Sequence, residues 1–80
     1  MNSDETFQRV RKCLSKTLVI PENQVHLNTS QDQFSQWDSI AHIRLIMELE
    51  NEFSIKFQMS DIPLLVTVDI ICDTVNEYMT

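Results

Sequence analysis

Eighty residues make one domain at the small end of what a single core can hold, too short to enclose a deep, dry substrate pocket as well. The chain contains no glycine, which excludes the GxGxxG, P-loop, GxSxG and EF-hand patterns, because each uses glycine for backbone freedom or close approach. A formal charge of −6 argues against nucleic acid and anionic membrane as partners and for basic protein surfaces.

That charge is uneven. Residues 1–17 carry Arg9, Arg11, Lys12 and Lys16 against Asp4 and Glu5, a net of +2, and the remainder has a net of −8. A hydrophobic fraction of 42% is ample for a globular fold. Cys13 and Cys72 lie on or beside apolar helical faces and lack metal-ligand spacing, which points to core packing. The polar start MNSDETFQ lacks a signal-peptide core, and no apolar run approaches a membrane span, so a cytoplasmic location is expected.

Taken in chain order, a first helix is expected from Ser3 to Thr17. Phe7, Val10 and Leu14 recur at helical spacing, and Leu18 extends the stripe. Asn2 or Ser3 can cap it, Asp4 and Glu5 suit its positive end, and Pro21 enforces a stop. Residues 21–37 form a long connection whose Val25, Leu27, Phe34 and Trp37 offer apolar pegs, so it is expected to lie packed across the helices. A second helix follows from Asp38 or Ser39 to Phe53, with Leu45, Ile46, Leu49 and Phe53 on one broad face. Ile40, Ile43 and Met47 add apolar surface beyond one contact, which makes this helix either central or the bearer of a second face. SIKFQM, 54–59, alternates like a strand but has no partner, so an extended connector is expected. Ser60 can cap a short helix with Pro63 in its first turn. Thr67 can cap a last helix from Val68 to Met79, with Val68, Ile71, Cys72, Val75 and Met79 inward. The fold class expected is all-α, a small four-helix bundle of three main helices and one short helix with a long first loop, in one domain spanning 1–80.

Ser39 admits three readings. It is a first-turn residue behind the cap Asp38, or a nucleophile with His42 one turn on, or a hydroxyl that another enzyme modifies. The nucleophile fails on geometry, because three groups on one helical turn cannot orient a base, and an oxyanion hole and cleft are also needed. The third reading has physical support: free N–H groups and the helix dipole favour an anion at this end. Phe34 and Trp37 would hold the preceding loop in place.

The stretch FSQWDSIAHIRLIMELENEFSIKF resembles the carrier-site region of acyl carrier proteins and of the related peptidyl carriers. In that family a D-S-L triplet opens the second helix and its serine bears 4′-phosphopantetheine. Here the match is Asp38, Ser39 and Ile40, followed by Ile43, Leu45, Met47, Glu48, Leu49, Glu50 and Phe53 at the family's spacing. Ile55, Phe57, Ile62, Thr67, Val68, Ile71 and Val75 continue it. Phe7, Leu14, Leu18, Pro21 and Phe34 fit the first helix and loop, so the resemblance covers nearly the whole chain.

The resemblance implies a carrier and not an enzyme. A phosphopantetheinyl transferase would use coenzyme A and Mg²⁺ to attach the arm to Ser39. The arm's thiol would then hold an acyl or aminoacyl group, supplied by a loading ligase or transferase, for downstream synthase enzymes. It further implies docking through the second helix, at Ile40, Arg44, Met47 and Glu48, with Met47 equally open to a core role. Ile40 replaces the commoner leucine. Arg44 stands where carriers of fatty acid synthesis place an acid, and with His42 it makes the upper helix neutral or basic, which favours a specialised pathway. A discrete, monomeric carrier is expected. The rival is an unmodified helical adaptor that binds partners through the second helix and leaves Ser39 free.

Overall fold

The computed structural model describes residues 2–80. Three helices, α1 (Ser3–Leu18), α2 (Ser39–Phe53) and α3 (Val68–Met79), are joined by segments with short 3₁₀ turns at Glu22–Gln24, Gln31–Gln33 and Ile62–Leu64. Helix α1 packs against both α2 and α3. The described residues contain no strand, only an isolated bridge between Ser30 and Thr67.

Each helix begins where a side chain can satisfy an orphan backbone N–H. The Asn2 side-chain Oδ1 accepts from the Glu5 N–H at 2.8 Å, and the Asp38 carboxylate accepts from the Ala41 N–H at 2.9 Å. Thr67 takes the same position before α3. The apolar stripes then meet: Val10, Leu14 and Leu18 from α1, Leu45, Leu49 and Phe53 from α2, and Val68, Ile71 and Val75 from α3 are all buried. Burying each such side chain is worth roughly 1.5–3 kcal/mol. Ile40, Ile43 and Met47 are more than half exposed, so α2 carries a second face rather than sitting wholly inside.

Without glycine, both long helices must end on residues that resist the left-handed conformation. Val19 and Ser54 close α1 and α2 with φ near +55°. For an L-residue with a side chain this costs roughly 1–2 kcal/mol. At Val19 the conformation is held by the Ser15 carbonyl, which accepts from the Val19 and Ile20 N–H groups, and by the Ser15 hydroxyl, which donates to the Ile20 carbonyl. The reversal buries Ile20 beside Leu18 and turns Val19 out.

The long loop is ordered by bonds rather than by regular structure. Arg11 donates to the Val25 carbonyl through Nε at 3.2 Å and Nη2 at 3.0 Å, fixing a fully buried Val25. Loop carbonyls also take the first N–H groups of α3: Val68 donates to Thr29 at 2.9 Å and Asp69 to Leu27 at 3.0 Å. After α2, the Phe57 N–H bonds the Glu50 carboxylate at 2.9 Å, and the Tyr78 hydroxyl accepts from the Gln58 N–H at 3.0 Å while donating to Asp61. The bond to Asp61 holds the Tyr78 proton and raises its pKa above the ordinary phenol value.

Four expectations need correction. Residues 60–64 do not form a Ser60-capped helix. A three-residue 3₁₀ turn follows Asp61, because Pro63 cannot donate and Leu65 dives into the core. Leu27 and Met79 are exposed rather than inward, Leu27 because its carbonyl serves α3 while Val25 fills the core, and Met79 because it lies in the last turn. Helix α1 extends to Leu18, one residue past Thr17.

Cys13 and Cys72 are unpaired and buried in the core. Burial, reinforced by nearby carboxylates, pushes each thiol from 9.0 to about 11. Both thiols are therefore expected to resist iodoacetamide at pH 8 in the folded protein and to react in denaturant. Because the folded pKa values are raised, their contribution to stability holds below pH 9 and fades as pH rises through about 11. Native labelling at pH 8, read by intact mass, would contradict this.

Candidate functional site at the start of α2

The first turn of α2 places an exposed hydroxyl between two buried anchors. Asp38 is extended and its carbonyl accepts the His42 N–H at 2.8 Å, while its carboxylate holds Ala41. Ser39 and Ile40 follow with both side chains exposed and no protein partner for their N–H groups among the described residues. Those N–H groups and the helix dipole make the turn hospitable to a phosphoryl oxygen.

The anchors are Trp37 and His42. Trp37 is 2% exposed and His42 7%. The indole Nε1–H donates to His42 Nδ1 at 2.9 Å, and His42 Nε2 lies 2.8 Å from the Ile62 carbonyl oxygen. An indole N–H can only donate, so Nδ1 accepts and Nε2 carries the proton given to Ile62. Nothing in this arrangement activates Ser39, because both imidazole nitrogens are occupied elsewhere. The Ser39–His42–Asp38 nucleophile is thereby removed. The pairing also corrects the expectation that His42 adds to the surface charge of α2: the ring is an internal bridge.

Arg44, Met47 and Ile40 do share the exposed side of α2, with Ile40 66% and Met47 57% exposed. Met47 thus points outward, away from a core role. Arg44 makes no ion pair among the described residues, whereas half-buried Glu48 lies 3.4 Å from Lys16 of α1. No group of three or more His, Cys, Asp or Glu side chains is arranged to hold a metal among the described residues. No described helix is long and apolar enough to cross a membrane.

The family model for the phosphopantetheine attachment site matches residues 8–75. The chain belongs to that family. It is also similar to the acyl carrier protein of Petrotoga mobilis, 29% identical over 69 residues, which is 86% of this chain and 81% of that protein. Members are carriers rather than enzymes, and their prosthetic group is covalently attached 4′-phosphopantetheine. The start of α2 fits such a group: the Ser39 hydroxyl is open, and the turn behind it is fixed by Asp38, Trp37 and His42.

The Trp37–His42 pair was legible as two residues but not as one interaction. The available signal is that a buried indole needs an acceptor for its N–H. Counting acceptors near Trp37 on the next helical turns leads to His42. Replacing His42 with Ala strands the buried Trp37 N–H and takes the partner from the part-buried Ile62 carbonyl. The expected cost is about 2–4 kcal/mol, read as a fall in the urea midpoint at unchanged m-value. A loss below about 1 kcal/mol would show that water replaces the ring.

Proposed function

We propose that Ser39 Oγ is the attachment point of the phosphopantetheine arm, and that this carrier works in the cytoplasm, presenting an acyl or aminoacyl thioester to the enzymes of a specialised biosynthetic pathway. The observation that carries the reading is an exposed serine at the open N-terminus of a long helix, locked from behind by buried side chains. Two other serines contrast with it: the Ser15 hydroxyl is bonded to Ile20 and the Ser30 hydroxyl to Asp32. The bound arm supplies a thiol for the thioester linkage.

The chain's own residues orient and present. Asp38 keeps the first turn wound, so the serine and its free N–H groups point to solvent together. Trp37 and His42 prevent the loop from folding over the hydroxyl. Tethering then converts each partner encounter into a reaction at high effective concentration. Ile40, Met47, Arg44 and Glu48 form the docking side, first for a phosphopantetheinyl transferase and later for the loading and synthase enzymes. An exposed, unpaired Arg44 requires an acidic complement, opposite to the basic patch that an acidic upper helix selects. That difference favours a polyketide, lipopeptide, modified-sugar or aminoacyl product over housekeeping fatty acid synthesis.

Incubation with a promiscuous phosphopantetheinyl transferase, coenzyme A and Mg²⁺ should raise the intact mass by one phosphopantetheinyl group, with no gain in Ser39→Ala. A folded wild-type chain that stays unmodified would instead support an adaptor that binds directly through α2.

The charge argument is tested separately. Arg44→Glu should raise turnover of the loaded carrier by a fatty-acid-type ketosynthase about tenfold, the effect of removing one like-charge contact of about 1.4 kcal/mol. Unchanged or slower turnover would exclude Arg44 as the selecting residue.

A further inference from the structure

Among the described residues, Val19 and Ser54 alone adopt positive φ, and Val19 is the β-branched one. It is 86% exposed, β-branched, and held at φ 55° and ψ 55°. Glycine occupies that region freely and asparagine readily, whereas a β-branched side chain is an outlier there. The backbone explains why the position is left-handed, since Leu18 and Ile20 are buried on either side and both N–H groups are drawn to Ser15. It does not explain an isopropyl group, which the described residues leave uncovered.

Val19 lines a groove between the C-terminal end of α1 and the exposed side of α2, together with Lys16, Thr17, Arg44, Met47 and Glu48. Arg9 is bonded to Glu52 and Arg11 to Val25, so much of the basic charge of α1 is used internally. Lys16 and Arg44 remain on this groove, Lys16 73% exposed and paired with the groove's Glu48 at 3.4 Å, Arg44 with no ion pair among the described residues, so the groove carries one net positive charge. In a chain of net charge −6 the groove is a local cationic, apolar spot. Along α2, Arg44 and Met47 lie about 7 and 12 Å from Ser39 at the usual helical rise. An enzyme working on Ser39 covers that distance within one standard interface.

We propose that the docking surface for the transferase that modifies Ser39 runs from α2 across this groove onto the cap of α1, with Val19 as an apolar anchor. Lys16 and Arg44 form its cationic rim. The matching surface of the transferase presents an aliphatic side chain flanked by carboxylates. The inference rests on the carrier reading of Ser39 and extends it to a residue outside the second helix.

The decisive variant is Val19→Gly, which relieves the backbone while deleting the contact. It should melt at or above the wild-type temperature, yet raise KM for the carrier at least fivefold at unchanged kcat. The reaction is phosphopantetheinyl transferase with coenzyme A and Mg²⁺, followed by intact mass. Val19→Asp should raise KM at least tenfold, more steeply at low salt, because it faces carboxylates. Met59→Asp, a change at an equally exposed apolar residue outside the groove, should leave KM unaltered. Wild-type loading with KM within twofold for both Val19 variants overturns the inference and leaves the carrier reading intact. A concentration-dependent dimer in sedimentation, abolished by Val19→Asp, assigns the groove to a second copy and likewise overturns it. A wild-type chain that gains no mass removes the carrier reading and this inference together.

Discussion

The bridge from the Trp37 indole through the His42 ring to the Ile62 carbonyl is the constraint that fixes the turn bearing Ser39. It joins three segments that regular secondary structure does not connect: the end of the long loop, the first turns of α2, and the turn before α3. The Trp37 and His42 rings are buried, so their polar groups are costly to leave unpaired. The bridge therefore acts as a unit, and its two ends close around the one stretch, Asp38 to Ala41, that lies between Trp37 and His42. Rigidity there lets an exposed, flexible-looking serine keep a defined direction.

Charge works in a similar way, by being spent inside before it reaches the surface. Arg9 reaches from α1 to the side chain and carbonyl of Glu52 and lies over the Phe53 ring at 4.4 Å. Arg11 holds Val25 and stacks on Phe7. Exposed pairs of this kind contribute little each, roughly 0–1 kcal/mol, but they fix how α1 meets α2 and the loop. The two arginines of the basic first helix are thus a fastening, while Lys12 and Lys16 of α1 stay exposed, as do Arg44 and Lys56.

Helix positions and their inward faces were legible because periodicity records burial directly. Val10, Leu14, Leu45, Leu49, Ile71 and Val75 all lie where their spacing put them. The exposed position of Ser39 at the start of a capped helix was legible as well, from Asp38 and the aromatic loop before it. What escaped depends on contacts far apart in sequence. His42 read as surface charge because its partners, an indole five residues back and a carbonyl twenty residues on, leave no periodic trace. Leu27 read as a peg because apolar character alone cannot tell it from Val25, whose carbonyl Arg11 captures. The end of α1 was legible only as a stop before Pro21, since the sign of φ at Val19 follows from Ser15 and the burial of Ile20.

The absence of glycine links these levels. At the sequence level it removes whole classes of phosphate-binding loop. In the fold it forces the left-handed ends of α1 and α2 onto residues with side chains, and the two ends are not equivalent. Ser54 is small and polar, and its position next to a connector pinned by Glu50 and Tyr78 gives it no apolar surface to offer. Val19 carries the less tolerant side chain at an exposed point, beside the groove that holds Lys16 and Arg44. A fold selected for stability alone would place glycine or asparagine there. Strain retained at an exposed apolar residue, within reach of the proposed attachment serine, is the pattern expected where recognition is maintained at the expense of stability.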